Sequence, residues 1–198
     1  MRWLNPVFFI PFLFIGCASL RKRPPAHPIS AVQSGRAGFF NRLAHADAAE
    51  GPPKISNQEE KALVTSKPPV LLRWPLRKVE VTSPFGKRGK EFHEGVDLRA
   101  KAGTSVYAAE SGIVLYADQR IRGYGRMVVV QHPGKVATVY AHNSKILVRK
   151  GQKIKKGQLI AYSGQSGLTR GPHVHFEVRY GVGPVDPLVA LGTRKKSS

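Results

Sequence analysis

A single cysteine, Cys17, stands among 198 residues. No intrachain disulfide can form and no cysteine-rich zinc site can be built, so a metal in this chain must be held by histidine and carboxylate. Acidic residues are scarce too: twelve Asp and Glu against thirty-two Lys and Arg give a formal net charge of +20. That balance attracts a polyanion, whether nucleic acid, an acidic lipid surface or an anionic wall polymer, without choosing among them. The features that read nucleic acid are missing, since there is no recognition helix, zinc knuckle or aromatic-basic platform, and nucleic-acid binding is not expected. No apolar run reaches the roughly 18 residues of a confident membrane span, and no segment repeats at a fixed period. What is plentiful is glycine, at 20, and proline, at 15, while aromatic residues make up 9%. That mixture favours a turn-rich β fold over a helical bundle, and the length suits one domain with appendages.

The amino terminus has the pattern of an export signal. Met1-Arg2 supplies a positive start, Trp3 to Ile15 forms a short apolar run, and Phe14-Ile15-Gly16-Cys17 closes it. The ending resembles a bacterial lipobox, with Phe14 where leucine is usual, and implies a signal peptide over 1–17 with Cys17 lipidated. The chain is then expected to be exported and to sit in the bacterial cell envelope as a membrane-anchored lipoprotein facing the wall, on the periplasmic side. Residues 18–69 are rich in Pro, Ala, Ser and basic residues without an apolar period, including Arg21-Lys22-Arg23-Pro24-Pro25. Such a segment buries too little apolar area to offset its ordering entropy and reads as a flexible tether. Asn41 to Glu50 is a candidate short helix in it, and His27 and His45 are linker residues.

From Val70 the chain changes to short β-branched and aromatic runs separated by glycine turns. This predicts one mainly β domain over 70–192, an antiparallel sandwich or barrel-like sheet, followed by a basic tail over 193–198. Expected strands are Val79 to Thr82, Ser105 to Ala108, Gly112 to Ala117, Arg126 to Gln131, Val136 to Ala141, Leu159 to Tyr162 and Pro172 to Tyr180. His132-Pro133-Gly134-Lys135 has hairpin-turn chemistry. A helix is expected to play little part.

Chemistry concentrates in three stretches. In His173-Val174-His175-Phe176-Glu177-Val178-Arg179-Tyr180 polar and apolar residues alternate, which puts His173 and His175 on one face of a strand and the apolar set in the core. Two neighbouring imidazoles can meet one metal, or one can ligate while the other faces a substrate. In Phe92-His93-Glu94-Gly95-Val96-Asp97, His93 and Asp97 are four apart, an even spacing that returns both to one side of an extended segment, with Gly95 permitting the bend. Glu94 invites comparison with the H-E-x-x-H helix, but the fifth position is Asp97 and no helical period surrounds it, so Glu94 reads as a surface residue. In Thr138-Val139-Tyr140-Ala141-His142, alternation sends Tyr140 and His142 to one face. His132, beside a turn, is taken as structural. Four imidazoles and one carboxylate are enough for three ligands and two groups that handle protons.

Ser83-Pro84-Phe85-Gly86, His93-Glu94-Gly95-Val96-Asp97, Gly103-Thr104-Ser105-Val106-Tyr107-Ala108-Ala109, Tyr140-Ala141-His142 and Gly171-Pro172-His173-Val174-His175-Phe176-Glu177-Val178 together resemble the LytM/lysostaphin-type zinc metallopeptidases that cleave peptidoglycan peptides. The likeness runs from about Val81 to Leu191. It implies a β fold of the duplicated hybrid motif type, with Zn2+ bound by His93, Asp97 and His175. His142 and His173 are implied to stand unligated beside the activated water and the scissile carbonyl as the catalytic pair. All five positions carry the required residue types, whereas members of the group that lack ligands act as noncatalytic activators of other wall enzymes. Arg170 and Ser105 depart from a frequent small hydroxyl residue and a frequent proline, departures that bear on substrate preference.

The expected function is zinc-dependent hydrolysis of peptide bonds in peptidoglycan stem peptides or cross-bridges, with peptidoglycan as substrate and the membrane as anchor. The alternative is a noncatalytic wall-binding module or an activator of a cell-wall amidase. A polyanion-binding surface protein, recognisable by steep salt dependence, is a third class that rests on charge alone.

Overall fold

The computed structural model describes residues 71–89, 91–181 and 183–191. The leader with Cys17, the tether with its candidate helix, His27 and His45, and the basic tail lie outside the described residues. Twelve strands follow one another as β1 (Val81–Ser83), β2 (Gly86–Arg88), β3 (Glu91–His93), β4 (Val96–Arg99), β5 (Ser105–Tyr107), β6 (Gly112–Asp118), β7 (Arg126–His132), β8 (Val136–Ile146), β9 (Lys153–Ile154), β10 (Leu159–Ser163), β11 (His173–Tyr180) and β12 (Gly183–Val185). One turn of helix, α1 (Pro187–Ala190), closes the described domain, with Asp186 accepting the Leu188 N–H as its cap and Pro187 at its start.

The architecture is the antiparallel β-sheet fold expected. The main sheet runs β1-β4-β11-β8-β7-β6-β9, while β10 joins β5 to β8, β12 pairs with β11, and β2 and β3 form a separate hairpin. The seven expected strands are all present. Added to them are β2, β3, β4, β9 and β12, each two to four residues long and too short for a period-two pattern to be read.

Alternation explains β11. Val174, Phe176 and Val178 are buried in the larger core cluster beside Leu98, Val128, Tyr140 and Ile160, with Tyr180 partly buried against it. The opposite face, carrying His173, His175, Glu177 and Arg179, is also covered rather than solvated, with Glu177 at 0% and Arg179 at 3% exposure. A smaller apolar cluster of Tyr116, Tyr124, Met127, Val129, Val139 and Ala141 lies on that side of the sheet.

Alternation fails at His142. On β8 the register sets Tyr140 opposite Phe176 and Ala141 opposite His175, so unbroken alternation would turn His142 toward the core with Tyr140. His142 instead has φ of 61°, a left-handed conformation that costs a non-glycine residue free energy and persists only where its surroundings hold it. The twist swings its ring onto the histidine face and redirects β8 from β11 to β10, which pairs with residues 143–146. The expectation that Tyr140 and His142 share a face is thereby corrected.

Candidate metal centre

Two adjacent strands carry the centre. β4 pairs with β11 so that Asp97 lies opposite His175, and the β3–β4 turn returns His93 to the same side. His93 Nε2 lies 3.1 Å from His175 Nδ1 and 3.2 Å from Asp97 Oδ1, and His175 Nδ1 lies 2.9 Å from that oxygen. Among the described residues these three donor atoms form a group lying within 4.8 Å of one another.

The outer nitrogens of both rings are already committed. His93 Nδ1 lies 2.7 Å from the Pro84 carbonyl oxygen and 2.5 Å from Arg88 Nη2, and donation to the carbonyl turns Nε2 inward toward Asp97 and His175. His175 uses the opposite atom: its Nε2 lies 2.9 Å from Glu177 Oε1, so Nδ1 faces the cluster. Glu177 is fixed in turn by the Tyr124 hydroxyl at 2.6 Å and by Arg179 at 2.7 Å. Three potential ligand atoms thus converge on one point, held there by hydrogen bonds between the two imidazoles and Asp97 Oδ1. Two imidazole nitrogens, one carboxylate oxygen and an outer carboxylate behind one imidazole are a donor set that suits zinc and leaves a coordination position open.

Charge linkage follows from the same geometry. Burial opposes ionisation of Asp97, but hydrogen bonds from His173, His175 and His93 outweigh it and hold the carboxyl far below its usual range. Burial likewise opposes charging of His175, yet Asp97 and Glu177 together push it up to about 9. Glu177, despite full burial, is pulled down to about 2 by His175 and Arg179.

His142 and His173 stand beside the cluster, ring centroids 4.7 Å apart. His142 Nδ1–H donates to the Ser166 carbonyl at 2.8 Å and His173 Nδ1–H to the Gly171 carbonyl at 2.9 Å, so each ring presents Nε2. His173 Nε2 lies 3.5 Å from Asp97 Oδ1. Burial and the neighbouring His175 push His142 down to about 4. Burial works against protonation of His173 as well, but its hydrogen bond to Asp97 raises it. The kink at His142 is clamped by Asn143, whose amide donates to the Arg126 and Tyr140 carbonyls at 3.0 and 2.8 Å, and by Ser166, whose hydroxyl donates to the Asn143 carbonyl at 2.7 Å.

All five candidate side chains therefore come together, and several supporting ones were not anticipated. Glu177 and Arg179 were visible only as members of a polar face. Tyr124, Asn143 and Ser166 carry no local signal. Arg88 donates to Asp97 Oδ2 at 3.0 Å and also contacts Ser83 Oγ. Glu94 is not simply a surface residue, because it accepts from Arg179 at 2.9 Å. His132 is structural as expected but buried, at 4% exposure. The cleft over the centre has a volume of about 790 Å³, with Arg88, Phe92, Tyr124, Leu168 and Arg170 among its walls.

An antiparallel β domain presenting this donor set at the floor of an open cleft fits the class of peptidase-type hydrolases. The chain belongs to peptidase family M23, whose model matches residues 91–187. It is similar to the catalytic domain of the prophage-encoded M23 protein EnpA from Enterococcus faecalis, solved as its A109H mutant: 33% identity, 56% of this chain and 90% of that one, TM-score 0.53. It is similar also to a zinc containing peptidase from Vibrio cholerae, with 35% identity over 60% of this chain and 38% of that chain and a TM-score of 0.55. Among curated proteins it is 37% identical over 130 residues to the murein hydrolase activator NlpD of Escherichia coli K12, covering 66% of this chain and 34% of the relative. Several other relatives are named lipoproteins. The chain spans between 24% and 38% of the length of these curated relatives.

Proposed function

We propose that the chain is a zinc-dependent endopeptidase that hydrolyses peptide bonds of peptidoglycan, anchored in the envelope through Cys17 by a tether over 18–69. The observation that carries this reading is the intact set of five side chains, with the outer ring nitrogens engaged by backbone carbonyls or Glu177 and the inner nitrogens of His93, His173 and His175 gathered around Asp97. His93, Asp97 and His175 would hold the ion. When bound, zinc supplies Lewis acidity that polarises a carbonyl and brings the pKa of water to about 7. Glu177 and the Pro84 carbonyl keep the two ligand rings in the tautomers that ligation needs.

His142 and His173 do the proton work at Nε2. With each Nδ1–H tied to a backbone carbonyl, the second nitrogen is the atom that can take a proton from water and pass that proton to the leaving amine, or hydrogen-bond the oxyanion of the tetrahedral intermediate. The two rings lie side by side, each held by a backbone carbonyl, so neither has to reorganise during the reaction. The open cleft suits an extended peptide.

Purified protein incubated with isolated cell walls should release new amines, and chelation or His175→Ala should reduce that release by at least about a thousandfold, the scale of several kcal/mol of transition-state stabilisation. Undiminished release after metal removal would refute the proposal. The second reading, an activator of a wall amidase, is favoured by the name of the Escherichia coli relative. It requires that the protein stimulate an amidase equally well as wild type and as His175→Ala, with no amine release of its own.

A further inference from the structure

A second groove of about 640 Å³ opens beside the cleft, and four cations, Arg77, Lys78, Arg99 and Lys101, line it around Tyr107. Among the described residues lining it, Glu80 is the one carboxylate. Glu80 is already engaged, accepting from Arg99 Nε at 2.7 Å. The Arg73 and Arg77 guanidinium carbons lie 5.7 and 5.5 Å from the Tyr107 ring centroid, adding cationic character along the same wall. Arg77, Lys78 and Lys101 are exposed, and nothing in the proposed mechanism uses them.

The groove and the cleft share no lining residue, but both draw on β4. β4 presents Asp97 and Arg99 on one face while Val96 and Leu98 point into the core, so two residues, about 7 Å of strand, separate the metal centre from the first groove cation. On the neighbouring β1, Thr82 belongs to the cleft, and Glu80, just before that strand, belongs to the groove. The β11 partner of Arg99 is His173. One extended ligand lying across the centre and along β4 would run straight into the cations.

We propose that this groove binds the carboxylates of the same peptide whose bond lies over the metal centre, making the chain selective for wall peptides with free acid groups a few ångströms from the scissile bond. This rests on the peptidase reading. The placement of Asp97 and Arg99 on one face of β4 favours a peptide over a separate anionic polymer, because one molecule then satisfies both features.

The test uses the full chain, a fluorescently labelled cross-linked wall peptide with free carboxylates, and the same peptide with those groups converted to amides. The variant Arg77→Gln/Lys78→Gln/Lys101→Gln leaves the Arg99–Glu80 pair and the metal centre untouched. Wild type should bind the acid form about tenfold more tightly than the amide form, as expected for a few exposed charge pairs, with a preference that fades as salt is raised. The variant should bind both forms alike, with a raised KM for the acid peptide, an unchanged kcat and an unaltered melting temperature. Equal binding of both forms by wild type, or a preference surviving in the variant, overturns the inference. So does displacement of the acid peptide from the groove by inorganic polyphosphate at lower concentration than by unlabelled peptide. Because binding is read without turnover, a preference seen without hydrolysis would sink only the peptidase reading, and metal-dependent hydrolysis without the preference would sink only the groove.

Discussion

Glu177 decides how well the two ligand strands act as one centre. It accepts from His175, Tyr124 and Arg179 at 2.9, 2.6 and 2.7 Å, so its charge both fixes the His175 tautomer and neutralises a buried guanidinium. Glu177→Gln keeps the shape and an acceptor oxygen but removes the charge. Zinc affinity, read by competition with a chromophoric chelator, should fall about 10- to 100-fold as for other outer partners of ligating histidines, and the melting temperature should drop. Unchanged affinity would mean that His175 is oriented by packing alone. The five histidine and aspartate positions were legible because residue type and order survive in the chain as written. Glu177 was not, since a glutamate two places after a histidine on an alternating strand looks like any solvated strand face. What buries it, Tyr124, is 53 positions away.

The longer strands were legible from their alternation, and the short ones that shape the centre were not. β3 and β4 owe their place to Gly95, expected to permit a bend and found to matter for another reason. A Cβ there would lie 2.4 Å from the Phe176 carbonyl oxygen and 2.9 Å from Glu177 Cγ, so glycine lets the β3–β4 turn press against β11. Gly95→Ala must push the turn outward and draw His93 and Asp97 from His175. It should cost about 1–3 kcal/mol of stability, the range for overpacking, and weaken zinc binding with it. Gly171→Ala, where an added Cβ meets nothing within 4 Å, should melt within a degree or two of wild type. Equal melting temperatures for the two variants would contradict this account. β8 teaches the same lesson differently: its run of apolar residues reads as one strand, yet the left-handed turn at His142 decides which face its last histidine serves, and that turn is held by the neighbouring Asn143 and, from outside any local window, by Ser166 and by the Tyr124 carbonyl, which accepts the His142 N–H at 3.0 Å.

Global stability should respond to acid through a buried group far from the metal centre in the sheet. His132, the last residue of β7, donates Nδ1–H to the Ser111 carbonyl at 2.9 Å, and its Nε2 shares a 2.7 Å hydrogen bond with the Thr138 hydroxyl. Thr138 continues to the Tyr140 hydroxyl at 2.8 Å, which accepts from the Ala109 N–H at 2.8 Å. This chain of bonds ties β7 and β8 to the turn before β6. Burial lowers the His132 pKa, against a smaller opposing pull from Ser111 and Glu110. In the unfolded chain the same imidazole titrates near 6.5. Above that pH both states are neutral and the contribution to stability is complete. As pH falls below it, the unfolded chain takes up a proton that the folded one refuses, and stability declines by up to about 1.4 kcal/mol per pH unit until the lowered folded pKa is reached. His173 and His175, whose pKa values are raised, act in the opposite sense, so wild type alone cannot isolate the effect. Urea unfolding of wild type and His132→Gln at pH 7.5 and 5.5 does, because the other histidines are common to both. The variant should be less stable at pH 7.5 but lose less on acidification. Parallel losses would show that His132 is protonated as readily inside the sheet as in the unfolded chain.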